Sequence, residues 1–177
     1  VIRKNVKPAA MHALLLAGSV DAITEYIFSS VHLNKHAKEK GQKVDHFLYS
    51  ETGLTLYSNS LLTSEKRIKE RPEEVRRFVK ATLQGFHYAF SHPQEGADLL
   101  KKLQPQVDRE SSIKEYVLVR QMMTTPNTLK NGMGYIAPEK VVQTVKSMEK
   151  YMALPVGLVK PLGVYTNKFN PRIKFPD

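Results

Sequence analysis

The sequence has no cysteine and no tryptophan in 177 residues. Without cysteine there is no disulfide, no thiolate nucleophile and no cysteine-based zinc or iron–sulfur site, and the redox compartment stays open. Long apolar runs are missing too. The longest, such as residues 13–17, fall far below the roughly 20 residues that cross a bilayer. The chain opens "VIRKNVKP", without the cationic start, apolar stretch and small-residue cleavage site of a secretory signal, so either it is cytoplasmic or its beginning lies elsewhere. No repeat, low-complexity tract, Gly-x-Ser-x-Gly elbow, phosphate loop or dinucleotide fingerprint occurs, and no cofactor is expected.

What is present suits a folded domain or part of a larger one: hydrophobic residues make up 41% and charged residues 25%, enough to build a core. Lysine and arginine total 27 against 17 acids. That excess is spread along the chain rather than clustered, which reads as soluble surface with some attraction for anionic ligands more than as a nucleic-acid face.

Residues 1–7 read as a short edge strand ended by Pro8, and "AAMHALLLAG" as a helix stopped at Gly18. The alternation in "SVDAITEYIF" predicts a strand with Asp21, Ile23 and Glu25 on one face. "VHLNKHAKEKGQK" predicts a helix ended by Gly41. "VDHFLYSE" and "LTLYSNSLLTS", rich in β-branched and aromatic residues, predict two extended segments. Ser64 caps a short helix, "EKRIKE". From Pro72 the apolar stripe of Val75, Phe78, Val79, Thr82, Leu83, Phe86, Ala89 and Phe90 predicts a long amphipathic helix, with Glu73 and Arg77 as a supporting pair. Pro93 opens the next helix. Others are predicted from Asp108 to Met123 and from Pro138 to about Met152, and the proline-containing tail should lie as an extended strap. The pattern is α/β weighted towards helix, with few strands for its length and hence open sheet edges.

Six histidines are present. His32 and His36 stand four apart, but without the glutamate of a zincin helix they read as a surface pair, and no metal is expected. Asp21 and Glu25 read either as paired carboxylates for acid–base work or as strand-end acids that hydrogen-bond backbone or ligand. Tyr26, Tyr49 and Tyr57 lie near predicted strand ends. There they either stack on a flat ligand or sit half-buried in the sheet.

One block carries a resemblance: Tyr57-Ser58-Asn59, the Thr63-Ser64 cap, Arg71-Pro72-Glu73, Phe78-Val79-Lys80-Ala81-Thr82-Leu83-x-Gly85, and His92-Pro93-Gln94-Glu95. With "LLLAGSVDAI", "MGYIAPEKV" and the Tyr165, Thr166, Asn167 and Phe169 of the tail, it resembles the ABC-importer solute-binding proteins that handle thiamine-pyrimidine precursors, riboflavin, alkanesulfonates and nitrate. The resemblance implies a two-lobed, type II periplasmic-binding α/β fold of which this is the C-terminal portion. Residues 1–48 would end the second lobe, 49–63 form hinge strands, and 64–177 return as helices to a first lobe whose N-terminal part is missing.

It also implies an extracytoplasmic, non-enzymatic protein, periplasmic or membrane-anchored, that captures a small organic solute and passes it to a membrane permease, with no nucleic-acid partner. Asp21, Glu25, Tyr26, Ser50, Glu51, Tyr57 and Asn59 are the residues expected to line the cleft. Two alternatives stand beside this. A thiamine-pyrimidine-synthase-like enzyme would need the cysteine-rich motif that is absent here, and a basic helical nucleic-acid module would need salt-steep binding.

Overall fold

The computed structural model describes residues 2–176, so Val1 of the expected first strand lies outside the described residues. It contains α1 (Met11–Leu16), α2 (Ser30–Glu39), α3 (Glu65–Glu70), α4 (Pro72–Ser91), α5 (Pro93–Leu103), α6 (Arg109–Met123), α7 (Pro126–Asn131) and α8 (Pro138–Tyr151). Helix starts follow local chemistry. The Ser64 hydroxyl accepts the Arg67 N–H at 3.2 Å, and the Asp108 carboxylate accepts that of Ser111 at 2.9 Å. Proline opens α4, α5, α7 and α8, where its missing N–H costs nothing.

The α/β fold class expected from the sequence is not what forms: no strand occurs among the described residues. Of the stretches read as strands, residues 2–7, 19–28, 44–51 and 54–64 form coil without a ladder, with 3-10 turns following the first at Pro8–Ala10 and interrupting the next two at Ile27–Ser29 and Tyr49–Thr52. The backbone is extended at Tyr26, with φ −74° and ψ 140°, and at Leu48, with φ −87° and ψ 142°. These angles are those of polyproline II as much as of a strand. Alternating side chains specify extension, whereas a strand also needs a neighbour to complete its ladder. None of these segments pairs with another among the described residues, so the sheet of a type II fold is absent.

Two small cores organise the helices. Leu16, Leu33 and Ala37 form one, with Leu15, Ile23 and Val44 packed around them. Leu83, Phe90 and Met133 form the other, with Val79, Tyr116, Val119, Met123, Ile173 and Phe175. The stripe on α4 buries Val75, Leu83 and Phe90 as expected but leaves Phe78 64% exposed. Glu73 pairs with Arg76 at 3.3 Å rather than with Arg77. Helix α6 packs against α4 and α5 on one side and α2 on the other. Two ion pairs tie α2 to the start of α6: His32–Glu115 at 3.0 Å and Lys35–Asp108 at 3.1 Å.

The tail expected as an extended strap from Pro155 forms one only from residue 165 on, since residues 156–164 fold into turns and the 3-10 helix Pro161–Gly163. The Asn167 amide both accepts from the Ile136 N–H (2.9 Å) and donates to the Ile136 carbonyl (2.8 Å), copying one rung of a sheet ladder with a side chain. Asn170 donates to the Met133 carbonyl at 3.0 Å, and the Met133 N–H donates to Ile173 at 2.8 Å. Gly132 makes this approach feasible. At φ +100° a Cβ there would lie 2.6 Å from the Arg172 backbone.

Candidate functional site

The segment after α1 holds the first group of expected ligand residues. Gly18, at φ 69°, ends α1 with the paired bonds of a Schellman turn, Gly18 N–H to Leu15 and Ser19 N–H to Leu14. The chain then runs extended, and Ile23 anchors it in the first core. Two residues on, the Glu25 carboxylate meets His12 Nε2 of α1 at 2.6 Å. Tyr26 leaves that contact. Its ring lies parallel to Phe28, with centroids 5.2 Å apart and planes 5° from coplanar, and it remains 50% exposed. Asp21 is exposed at the preceding bend.

Glu25 and Tyr26 therefore stand side by side in sequence with different partners, the carboxylate held by α1 and the ring open on an aromatic stack. His12 is the residue that sequence reasoning missed. Thirteen residues separate it from Glu25, and only the turn at Gly18 brings the two together.

The second group lies on residues 49–59. Glu51 accepts the Leu48 N–H at 3.0 Å and so closes its own 3-10 turn, while Ser50 is exposed on that turn. The Tyr57 hydroxyl accepts the N–H of buried Ala137 at 2.7 Å, and Lys140 Nζ sits 4.8 Å from the centre of the Tyr57 ring. Burial pushes the Tyr57 phenol up, partly offset by the Ala137 hydrogen bond. Thr55 Oγ1 adds a bond to Gln143 at 3.3 Å. This stretch is thereby fastened to the start of α8. Asn59 is exposed beyond the fastening point. No hydrogen bond or ion pair among the described residues joins the 21–26 group to the 50–59 group.

Two open clefts lie elsewhere. One, of about 580 Å³ between α2 and α6, is lined by Ile27, Val31 and Leu118 together with Lys35, Lys38 and Asp108 among others. Asp108 is held well below the usual carboxylate range, first by its hydrogen bond to the Ser111 side chain, then by the Ser111 N–H and by Lys35. Nearby Glu115 moves the other way, because burial raises it more than His32 lowers it. The other cleft, about 500 Å³, lies where Phe90, Pro93, Tyr116 and Arg120 meet. None of the expected ligand residues lines either cleft, though Ile27 in the first is next to Tyr26. No group of three or more metal-ligating side chains converges among the described residues.

Comparison with known proteins gives this geometry a family. The family model described as "NMT1/THI5 like" matches residues 4–96, more than half of the chain and the whole of both groups. The chain belongs to the NMT1/THI5 like family. This is the solute-binding group to which the sequence motifs pointed, and the match supports a solute-binding role. The NMT1/THI5-like chain is also 29% identical over 146 residues to the riboflavin-binding protein RibY of Chloroflexus aurantiacus, covering 78% of this chain and 40% of that protein. It thus spans about 40% of the length of the curated relative it matches. No solved structure matches it. No helix among the described residues is long and apolar enough to cross a membrane.

Proposed function

We propose that this chain is part of the solute-binding component of an ABC importer, an extracytoplasmic protein that captures a flat organic solute and hands it to a membrane permease without chemistry of its own. The observation that carries the reading is the open Tyr26–Phe28 stack beside the His12–Glu25 pair, in a chain of this family. An exposed aromatic face offers stacking to a heteroaromatic ring, and a neighbouring carboxylate–imidazole pair offers both acceptor and donor to its polar edge.

The relative's name makes a flavin the first solute to try. In this reading residues 1–48 belong to one lobe, residues 49–63 cross between lobes, and the helices that follow belong to the other. Asp21, Glu25, Tyr26, Ser50, Glu51, Tyr57 and Asn59 face the cleft when the lobes close.

The test is a fluorescence-quenching titration of the natural polypeptide with riboflavin. Saturable binding that Tyr26→Ala weakens about two- to tenfold, in line with the roughly 0.5–1.5 kcal/mol of an aromatic pair, supports the assignment. Binding of equal strength in wild type and variant removes Tyr26 from the site.

A further inference from the structure

The chain between the end of α8 and the tail strap has a character that solute binding does not use. Tyr151, Met152, Val156, Leu158, Leu162 and Val164 stand within fourteen residues, and each is 60% exposed or more, with Val156 at 86%. The segment is not loose chain. Ala153 at φ 56° and Gly157 at φ 77° turn it. The Gly157 N–H donates to the Glu149 carboxylate at 2.8 Å, the Leu158 N–H reaches the Pro155 carbonyl at 3.2 Å, and the turn Pro161–Gly163 packs back on α8. Its apolar side chains are thus held outward on a hydrogen-bonded hook.

Charge around the hook has one sign. From Lys140 to Lys174 the sequence carries seven basic residues against a single acid, Glu149, and that acid is turned into the hook by the Gly157 bond. Lys146, Lys150 and Lys160 lie next to this segment or within it in sequence, all three are exposed, and none forms an ion pair among the described residues. Lys150 lies over the Tyr151 ring, 4.9 Å from its centre. Exposed apolar side chains on a segment that carries lysines without ion-pair partners, one of them over an aromatic ring, have the chemistry of a surface that sits at the headgroup level of an anionic bilayer. A surface made to meet another copy of this chain would bring lysines against lysines.

We propose that residues 151–164 form a membrane-surface contact, in which Val156, Leu158 and Leu162 enter the interface of an anionic lipid bilayer while Lys146, Lys150 and Lys160 pair with lipid phosphates. The contact is independent of which solute is bound. It holds the protein close to the membrane rather than anchoring it, since a few apolar side chains and lysines give reversible adsorption.

Co-sedimentation with vesicles tests it. Phosphatidylcholine vesicles containing a third phosphatidylglycerol are compared with pure phosphatidylcholine, using the natural polypeptide and two variants, Val156→Ser/Leu158→Ser/Leu162→Ser and Lys150→Gln/Lys160→Gln. All the substituted side chains are exposed, and circular dichroism checks that helix content is unchanged. The expected result is binding to the anionic vesicles only, weakened by raising salt and reduced roughly tenfold or more in each variant. Failure to bind anionic vesicles overturns the proposal. So does binding that either variant leaves unchanged, and so does a concentration-dependent dimer, seen by light scattering, that the serine variant abolishes. None of these outcomes depends on riboflavin binding, so this proposal and the solute-binding reading stand or fall separately.

Discussion

Tyr57 has an observed structural partner and a proposed solute contact, and a substitution series separates the two. Its hydroxyl satisfies the N–H of buried Ala137, so Tyr57→Phe strands a buried donor and should cost about 1–2 kcal/mol in chemical denaturation, with solute affinity nearly unchanged. Tyr57→Ala also removes the ring and should weaken binding by on the order of 1–3 kcal/mol if the ring stacks on the solute. Equal affinity in both variants would make Tyr57 purely structural. The sequence displayed Tyr57 as a candidate but not its partner, because Ala137 lies 80 residues away and carries no signal of its own.

Gly132 is the counterpart at the backbone. Gly132→Ala would drive a Cβ into the Arg172 main chain, which cannot step aside, and should destabilise by about 3 kcal/mol or more. A melting temperature within a degree of wild type would contradict the packing of the strap.

At the scale of elements, the helices were legible because their signals are local. The stripe of α4, the Ser64 cap and the prolines at helix starts all act within a turn or two. Helix α7 escaped notice because it is six residues long and begins with Thr125 and Thr128 capping each other, a signal with no hydrophobic period behind it. The strands were misread for the opposite reason, since pairing is decided by distant residues.

The N-cap of α6 gives a pH prediction. Asp108 is held below its ordinary range in the folded chain by Ser111 and Lys35, so its stabilising effect is complete above the usual aspartate range and is lost as pH falls through the depressed value. Asp108→Ala should lower the melting temperature at pH 7. The gap between variant and wild type should narrow steadily below about pH 4. A gap that is constant down to pH 2 would mean the carboxylate charge contributes nothing.

The molecule as a whole exposes 13204 Å², against roughly 8,700 Å² for a compact monomer of its mass. Phe78 and Phe86 on the outer face of α4 are part of that surplus, although the sequence placed both on the stripe. In the two-lobed reading this face packs on the rest of the first lobe, to which the helices return. Phe78→Ala should then cost about 3 kcal/mol in the natural polypeptide and within about 0.5 kcal/mol in residues 1–177 alone. Equal small effects in both would leave the α4 face without a partner. The family was thus readable from motif order, while the architecture was not, because the motifs record local chemistry and the sheet depends on pairing that these residues do not complete among themselves.

The claim that this chain binds a flat organic solute is tested most directly by native mass spectrometry of the natural polypeptide, purified without denaturant. One small heteroaromatic molecule per chain, released on unfolding, is the predicted result. A well-folded protein that carries no adduct and takes up neither riboflavin nor a pyrimidine when these are added would contradict it.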